Sequence, residues 1–255
     1  MHRISVWTAV LWLCCGTARG QVPESGRWQE LRFSADAVDS QVEDRYIERV
    51  VELAADRKLD DDPALLARLR SVSAGLIRAA IALKPDAAQW QWELHTTSDP
   101  EVDAVCMAGG KILVGSAFVR QLALDDGELA TLLAHEVAHA VAEHVRETLS
   151  EAFLLVRRPP LPLDVLMERL DSDLSLQIRL SDLSSMQESE ADQLGMVLAY
   201  RAGWPPAAMV RFYVKLATQE PAALIADHPA AASRLSMARG MALLLGADAP
   251  LAVSP

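Results

Sequence analysis

Two histidines spaced four residues apart constrain the fold of this chain more than any other feature. The segment reads His135-Glu136-Val137-Ala138-His139, and it lies in a helix predicted over residues 126–150 from the helical spacing of its apolar positions. Side chains at i and i+4 lie about 40° apart round a helix, so both imidazoles point to one side. Such a pair can bind one zinc ion, and the glutamate beside it can take a proton from water. The chain must therefore fold so that a third ligand meets this helix.

The third metal ligand is expected downstream of this helix. His144 is excluded because it would lie about 180° round the same predicted helix from His135. Residues 187–192 offer three carboxylates. Two of them, Glu188 and Glu190, lie about 200° apart on a helix, so only one can face the metal.

Small residues favour Glu188 as that ligand. It shares its helix face with Asp192 and Gly195, and the histidine-bearing face of the first helix also carries small residues. Small residues on both faces would let the two helices approach until one carboxylate reaches the metal. Asp192 is then expected to hydrogen-bond the far nitrogen of a ligand histidine and fix its tautomer. Glu190 faces the other side, where no partner is evident, and is expected to be a solvated or salt-bridged carboxylate.

The composition indicates a folded protein, mainly α with a small β-sheet (α+β). The chain has 255 residues, of which 51% are hydrophobic and 23% charged, which argues against disorder. Its net charge of −11 and its 5% of aromatic residues argue against nucleic acid as a partner. Three strands are predicted before the motif, at 89–96, 102–107 and 111–114. Helices are predicted at 41–59, 63–83, 116–124, 126–150, 186–201, 205–218 and 230–245.

Residues 1–20 have the layout of a cleavable signal peptide. Arg3 precedes an apolar run at 4–15, and the small residues Ala18 and Gly20 precede a cleavage point before Gln21. An uncleaved anchor is disfavoured because a spanning helix needs about 20 apolar residues. A lipoprotein signal is disfavoured because no small residue precedes the cysteines that end the run. The mature chain is predicted to have no transmembrane segment.

Four segments, in this order, resemble the HtpX-like and CAAX-prenyl-protease-like zinc endopeptidases, the forty-eighth family of metallopeptidases. They are 103–112, 133–140, 188–195 and Asp227-His228-Pro229 with Arg234. The resemblance covers about residues 40–245. It implies the gluzincin plan, in which a glutamate on a second helix completes a site begun by an HExxH helix. The expected organisation is a signal peptide at 1–20, an N-terminal lead-in at 21–40 and a zinc metallopeptidase domain at 41–255.

This resemblance implies one Zn²⁺ per chain, bound by His135, His139 and Glu188. It implies that Asp192 hydrogen-bonds a ligand histidine and that Glu136 is the catalytic base. It also implies a catalytic role for His228, either as an oxyanion donor or as a reversible fourth ligand. The similarity is greatest to soluble periplasmic members, so the expected substrates are misfolded or misassembled envelope polypeptides. A lipid-anchored or secreted location is less favoured.

Two other kinds of function stay open. A catalytically silent member could act as a holdase or adaptor for envelope proteins. A zinc-stabilised structural module is the other, although such sites more often use several cysteines and the mature chain would keep only Cys106.

The third predicted strand is expected to be an edge strand that binds extended substrate by main-chain hydrogen bonds. The glycine pair before it would leave room for close backbone approach, and an ordinary hairpin turn is the alternative. Residues 157–185 begin with a proline-rich stretch and are expected to form a mobile cover over the cleft, or else to pack as core through their aliphatic side chains. The predicted substrate-binding residues are Gly109, Gly110, Lys111, Ile112, Leu113 and Val114.

Overall fold

Helices dominate the fold, and two small sheets accompany them, which confirms the predicted α+β class. The computed structural model describes residues 18–156, 160–219 and 231–247. The strands are β1 (Ala18–Gln21), β2 (Trp28–Leu31), β3 (Glu93–Thr97), β4 (Ala104–Met107) and β5 (Lys111–Gly115). The helices are α1 (Ala35–Ala55), α2 (Pro63–Leu83), α3 (Ser116–Gln121), α4 (Asp126–Val141), α5 (His144–Leu155), α6 (Leu163–Ser172), α7 (Leu174–Arg201), α8 (Pro206–Gln219) and α9 (Ala231–Ala247), with a 3₁₀ turn at Pro85–Gln89.

The motif helix α4 lies at the centre of the main hydrophobic core. It packs against α2, α7, α8 and β4, and most of its residues are buried, including Leu129 and Leu133. A capping box begins the helix, because the Asp125 side chain accepts from the Glu128 amide and the Glu128 side chain accepts from the Asp125 amide. The burial of most of this helix fixes the direction in which the motif side chains point.

The predicted continuous helix over 126–150 is wrong, because the chain turns between α4 and α5. Glu143 adopts the left-handed conformation with φ 56°, and its carboxylate pairs with Lys84 and Arg146. The Gln29 side chain donates to the Ala142 carbonyl at 2.9 Å, which satisfies a helix-end acceptor. Neither glycine nor proline marks this break in the sequence, so contacts from distant segments decide it. The turn carries His144 back towards the motif.

A second hydrophobic cluster covers much of the segment predicted to be a mobile cover. Within residues 157–185 the structure has α6 and the first part of α7, which begins at Leu174 rather than at 186 as predicted. Leu166, Leu176 and Leu180 are buried there against α1 and α5. These contacts favour the core-packing alternative, and the mobility of the segment stays a prediction.

The prediction of 111–114 as an edge strand is wrong. The sheet order is β3-β5-β4, so β5 lies in the middle, parallel to β3 and antiparallel to β4, and all its residues are buried. Its apolar run suits a strand that is covered on both faces. The turn before it is confirmed, with φ 77° at Gly109 and 83° at Gly110. A Cβ on Gly110 would lie 2.9 Å from the Trp92 ring, so this glycine makes room for that indole.

The predicted N-terminal lead-in contains a hairpin. β1 pairs antiparallel with β2, and α1 begins at Ala35. The predicted cleavage point before Gln21 lies inside β1, while residues 1–17 are outside the described part, so the signal peptide stays a prediction. Across the described residues, no helix combines the length and apolar character that crossing a membrane requires.

Candidate metal centre

Three side chains from α4 and α7 converge as a set of possible metal ligands. The Nε2 atoms of His135 and His139 lie 3.2 Å apart, and the Glu188 carboxylate oxygens lie 3.4 Å from the first and 3.3 Å from the second. Ligand atoms about 2.0–2.1 Å from a tetrahedral zinc ion are about 3.3 Å from one another. The triangle therefore has the size and donor chemistry of a zinc site with one position left for water or substrate.

Gly195 lets the two ligand helices approach closely. A Cβ at this position would lie 2.9 Å from both the backbone nitrogen and the Cα of His135. Real Cβ atoms essentially never come this close to backbone, so a side chain here would push α7 away from α4. The small residues on both helices predicted a close approach of this kind. It holds Glu188 within reach of both histidines.

Asp192 lies behind His135 in a fully buried group of polar side chains. Its Oδ1 lies 2.9 Å from His135 Nδ1 and accepts from the Tyr213 hydroxyl at 2.8 Å. Arg234 donates to both of its oxygens, at 2.8 and 2.6 Å. Burial raises the pKa of Asp192, but bonds from His135 and Arg234 outweigh it and hold the pKa below its ordinary value. The ionised carboxylate therefore faces the nitrogen of His135 that points away from the metal position.

Glu190 has partners that were not predicted from the sequence. It is buried, and it accepts from Ser25, Arg27 and His144. Burial raises its pKa, but the bonds from these donors lower the pKa by a larger amount, to about 2. The expectation of a salt-bridged carboxylate is confirmed, and the expectation of no evident partner is wrong. Arg27 lies 163 residues away along the chain, so local spacing held no signal for this contact.

The metal position lies between two cavities that follow β4. One, of about 540 Å³, is lined by Ala104, Phe212 and the predicted base Glu136. The other, of about 370 Å³, is largely apolar and is lined by Met107 and Met167. Both cavities reach Val105, Cys106, His139 and Glu188. A cleft thus passes along β4 across the metal position.

Peptidase family M48 is the family whose model matches residues 63–242, more than half of the chain. The chain belongs to family M48. Over 125 residues it is 32% identical to the mitochondrial metalloendopeptidase OMA1 of Arabidopsis thaliana, which covers 49% of this chain and 26% of that protein. It is 27% identical over 212 residues to the β-barrel assembly-enhancing protease of Yersinia pestis (76% and 42%) and 25% identical over 224 residues to that of Escherichia coli K12 (80% and 44%). The chain spans less than half the length of each of these relatives.

M48 membership confirms the predicted family and supports the predicted zinc cofactor and metalloendopeptidase class. The matched M48 range includes the ligand triangle, Glu136 and Asp192, whereas β1, β2 and α1 precede it. His228, predicted to be catalytic, lies within the M48 range but outside the described residues, and its role stays a prediction.

Asp39 on α1 is expected to make the stability of this chain depend on pH. It lines a cavity of about 400 Å³ that reaches His139. Burial, Glu143 and Asp36 raise its pKa from 3.8 to about 6. The folded chain therefore holds this proton more tightly than the unfolded chain, and stability is lost as pH rises from 3.8 through 6.

The Asp39→Asn variant of this M48 chain is expected to be more stable than the wild type at pH 8, by on the order of 1 kcal/mol after allowance for solvent screening. The difference should be small near pH 3, where the wild-type carboxyl is mostly protonated in both states. Urea unfolding at the two pH values measures it, with the exposed Asp44→Asn as the control. A variant less stable than the wild type at pH 8 would contradict this account.

Proposed function

We propose that this chain is a zinc-dependent endopeptidase that cleaves polypeptides in protein quality control of the cell envelope. The observation that supports the activity most directly is the ligand triangle of His135, His139 and Glu188, with Glu136 facing the cleft beside it. Membership in a peptidase family agrees with this chemistry.

The proposed reaction is hydrolysis of a peptide bond, with Glu136 as general base and then general acid. Bound zinc would supply Lewis-acid chemistry, since it polarises a carbonyl and acidifies water. Glu136 follows a ligand histidine and lines the larger cavity, so its carboxylate can remove a proton from the attacking water. It then returns that proton to the leaving amine nitrogen as the carbon–nitrogen bond breaks. Asp192 would hold His135 by its far nitrogen throughout.

Extended substrate is proposed to pair with β4, in place of the strand predicted from the sequence. Asp103 and Met107 accept from the amides of Gly115 and Gly110, on the side that faces β5. By the alternation of an antiparallel ladder, the main-chain groups of Ala104 and Cys106 face the outer edge. Among the described residues no strand pairs with that edge, and both cavities lie along it. A substrate strand added there would pass across the metal position.

The envelope setting is supported by the relatives and by the N-terminus. Two of the relatives are named as proteases that enhance β-barrel assembly. Residues 1–20 have the layout of an export signal, which would place the mature chain in the periplasm. Misfolded or misassembled envelope polypeptides are therefore the proposed substrates.

A cleavage assay with metal removal tests the proposed function. The mature chain is incubated with casein and with an unfolded outer-membrane β-barrel protein, with and without a zinc chelator. We expect cleavage that the chelator abolishes and that added Zn²⁺ restores, because the zinc supplies the Lewis acid. Zinc-loaded protein that binds the unfolded barrel without cutting either substrate would overturn the peptidase proposal and favour the holdase.

A further inference from the structure

A continuous chain of polar contacts leads from the ligand His139 to the N-terminal hairpin. His139 Nδ1 lies 2.9 Å from His144 Nδ1, and His144 Nε2 lies 3.2 Å from a Glu190 oxygen. Arg27, in the turn between β1 and β2, donates to that same carboxylate oxygen from two nitrogens, at 3.1 and 2.8 Å. His144 and Glu190 are both buried, so water competes little for these bonds.

Metal binding by His139 determines which atom donates and which accepts in each hydrogen bond of this series. A neutral His139 that binds metal through Nε2 carries its proton on Nδ1, and it must donate to His144 Nδ1. His144 then carries its own proton on Nε2 and donates to Glu190, which can only accept. Donors and acceptors match at each contact, and the arginine holds the terminal carboxylate in place.

We propose that His144 and Glu190 are positioning residues that fix the orientation and tautomer of the metal ligand His139, and that Arg27 anchors them from the hairpin. The inference rests on the zinc site of the proposed function and adds a support for its second histidine. The two ligand histidines are thus held differently: His135 faces a buried carboxylate directly, whereas His139 reaches one through a second imidazole.

The anchor at Arg27 is itself held by a second buried carboxylate. Arg27 donates to both oxygens of Glu147, at 2.5 and 2.8 Å. Gln29 and Gln187 donate to the same carboxylate at 2.8 and 3.0 Å. Arg27 precedes the range that matches the family model, so a segment outside that range supports a ligand inside it.

Two amide variants of His144 separate positioning of the ligand from simple packing. The amide oxygen of asparagine stands where Nδ1 stood and can accept from His139. The amide nitrogen of glutamine stands where Nε2 stood and can donate to Glu190 but cannot accept at the Nδ1 position. If His144 only ties α5 to Glu190, glutamine should substitute better. If His144 positions His139, asparagine should substitute better than glutamine.

Zinc affinity is measured by competition with a chromophoric chelator, and the visible absorption spectrum of the Co²⁺-loaded protein reports ligand geometry. We expect His144→Gln to weaken zinc binding by about 10–100-fold and to change the Co²⁺ spectrum. His144→Asn should weaken zinc binding less than His144→Gln does, because it keeps the acceptor for His139 and loses only the link to Glu190. His95→Gln is the matched control, since His95 pairs with Asp60 and Glu93 away from the site. Unfolding of the metal-free variants shows whether the fold is intact.

Equal zinc affinities for the two His144 variants, or tighter binding by the glutamine variant, would overturn the positioning role. The proposed function would survive that result if the wild type binds zinc and cleaves polypeptides. A wild type that does not bind zinc would overturn both. Conversely, the expected order of affinities in a protein that cuts nothing would support the positioning role and refute the peptidase.

Discussion

Glu136→Gln is expected to lower kcat on polypeptide substrates by at least about 10²-fold while zinc stays bound. The substitution keeps the shape of the side chain and removes its capacity to accept a proton. Glu136 belongs to the cleft wall and not to the ligand triangle, so the metal should be retained. The measurement pairs turnover of a fluorogenic peptide with metal content by atomic emission.

The exposed Glu168→Gln on α6 is the matched control for this experiment and should behave as the wild type does. A Glu136→Gln protein that loses its zinc would show that the carboxylate supports the metal site. Near-normal cleavage by a zinc-loaded variant would remove the glutamate from the chemistry.

Glu188→Gln is expected to cause loss of the bound metal. It removes the one charged member of the ligand triangle, so zinc affinity should fall by more than the 10–100-fold typical of residues that only support a ligand. Glu190→Gln and Asp192→Asn should each fall within that smaller range, because they act through His139 and His135. Chelator competition and peptidase rate on the three variants measure the order.

A zinc-free Glu190→Gln protein beside a zinc-loaded, active Glu188→Gln protein would reverse the assignment of the third ligand. The expected effect at Glu190 is larger than the sequence alone indicates, since its partners lie on other elements. Glu93→Gln is the control, because the Glu93 carboxylate on β3 pairs with His95 and not with a residue of the metal site.

Local patterns in this sequence predict that helices carry the ligands, although they misplace the end of α4 and the start of α7. The bounds of α2 agree with the prediction, because Asp62 and Pro63 are strong signals for the start of a helix. The relation of Glu188 to Gly195 is equally local, since helical periodicity alone places both on one face. Such features depend on residues within a few turns of one another.

Pairing between distant segments could not be predicted in the same way. The strand β5 acquires β3 as a parallel neighbour, and its own five residues indicate buried faces but not which strands pair with its edges. The turn at Glu143 has no glycine or proline to mark it and depends on the charges of Lys84, which follows α2, and of Arg146 on α5. Ser25 and Arg27, two of the three partners of Glu190, lie in the hairpin, and helical periodicity cannot relate the hairpin to α7.

The glycine at the crossing of α4 and α7 has a consequence for judging remote relatives from their sequences. Gly195 contributes no ligand atom, yet it stands seven residues after Glu188 and touches the backbone of His135. A chain that keeps both histidines and the glutamate but carries a larger residue at this point would hold the three donors too far apart. A diagnostic pattern for metal competence should therefore include Glu-x₆-Gly beside His-Glu-x-x-His, so that relatives with intact ligands and separated helices are not counted as enzymes.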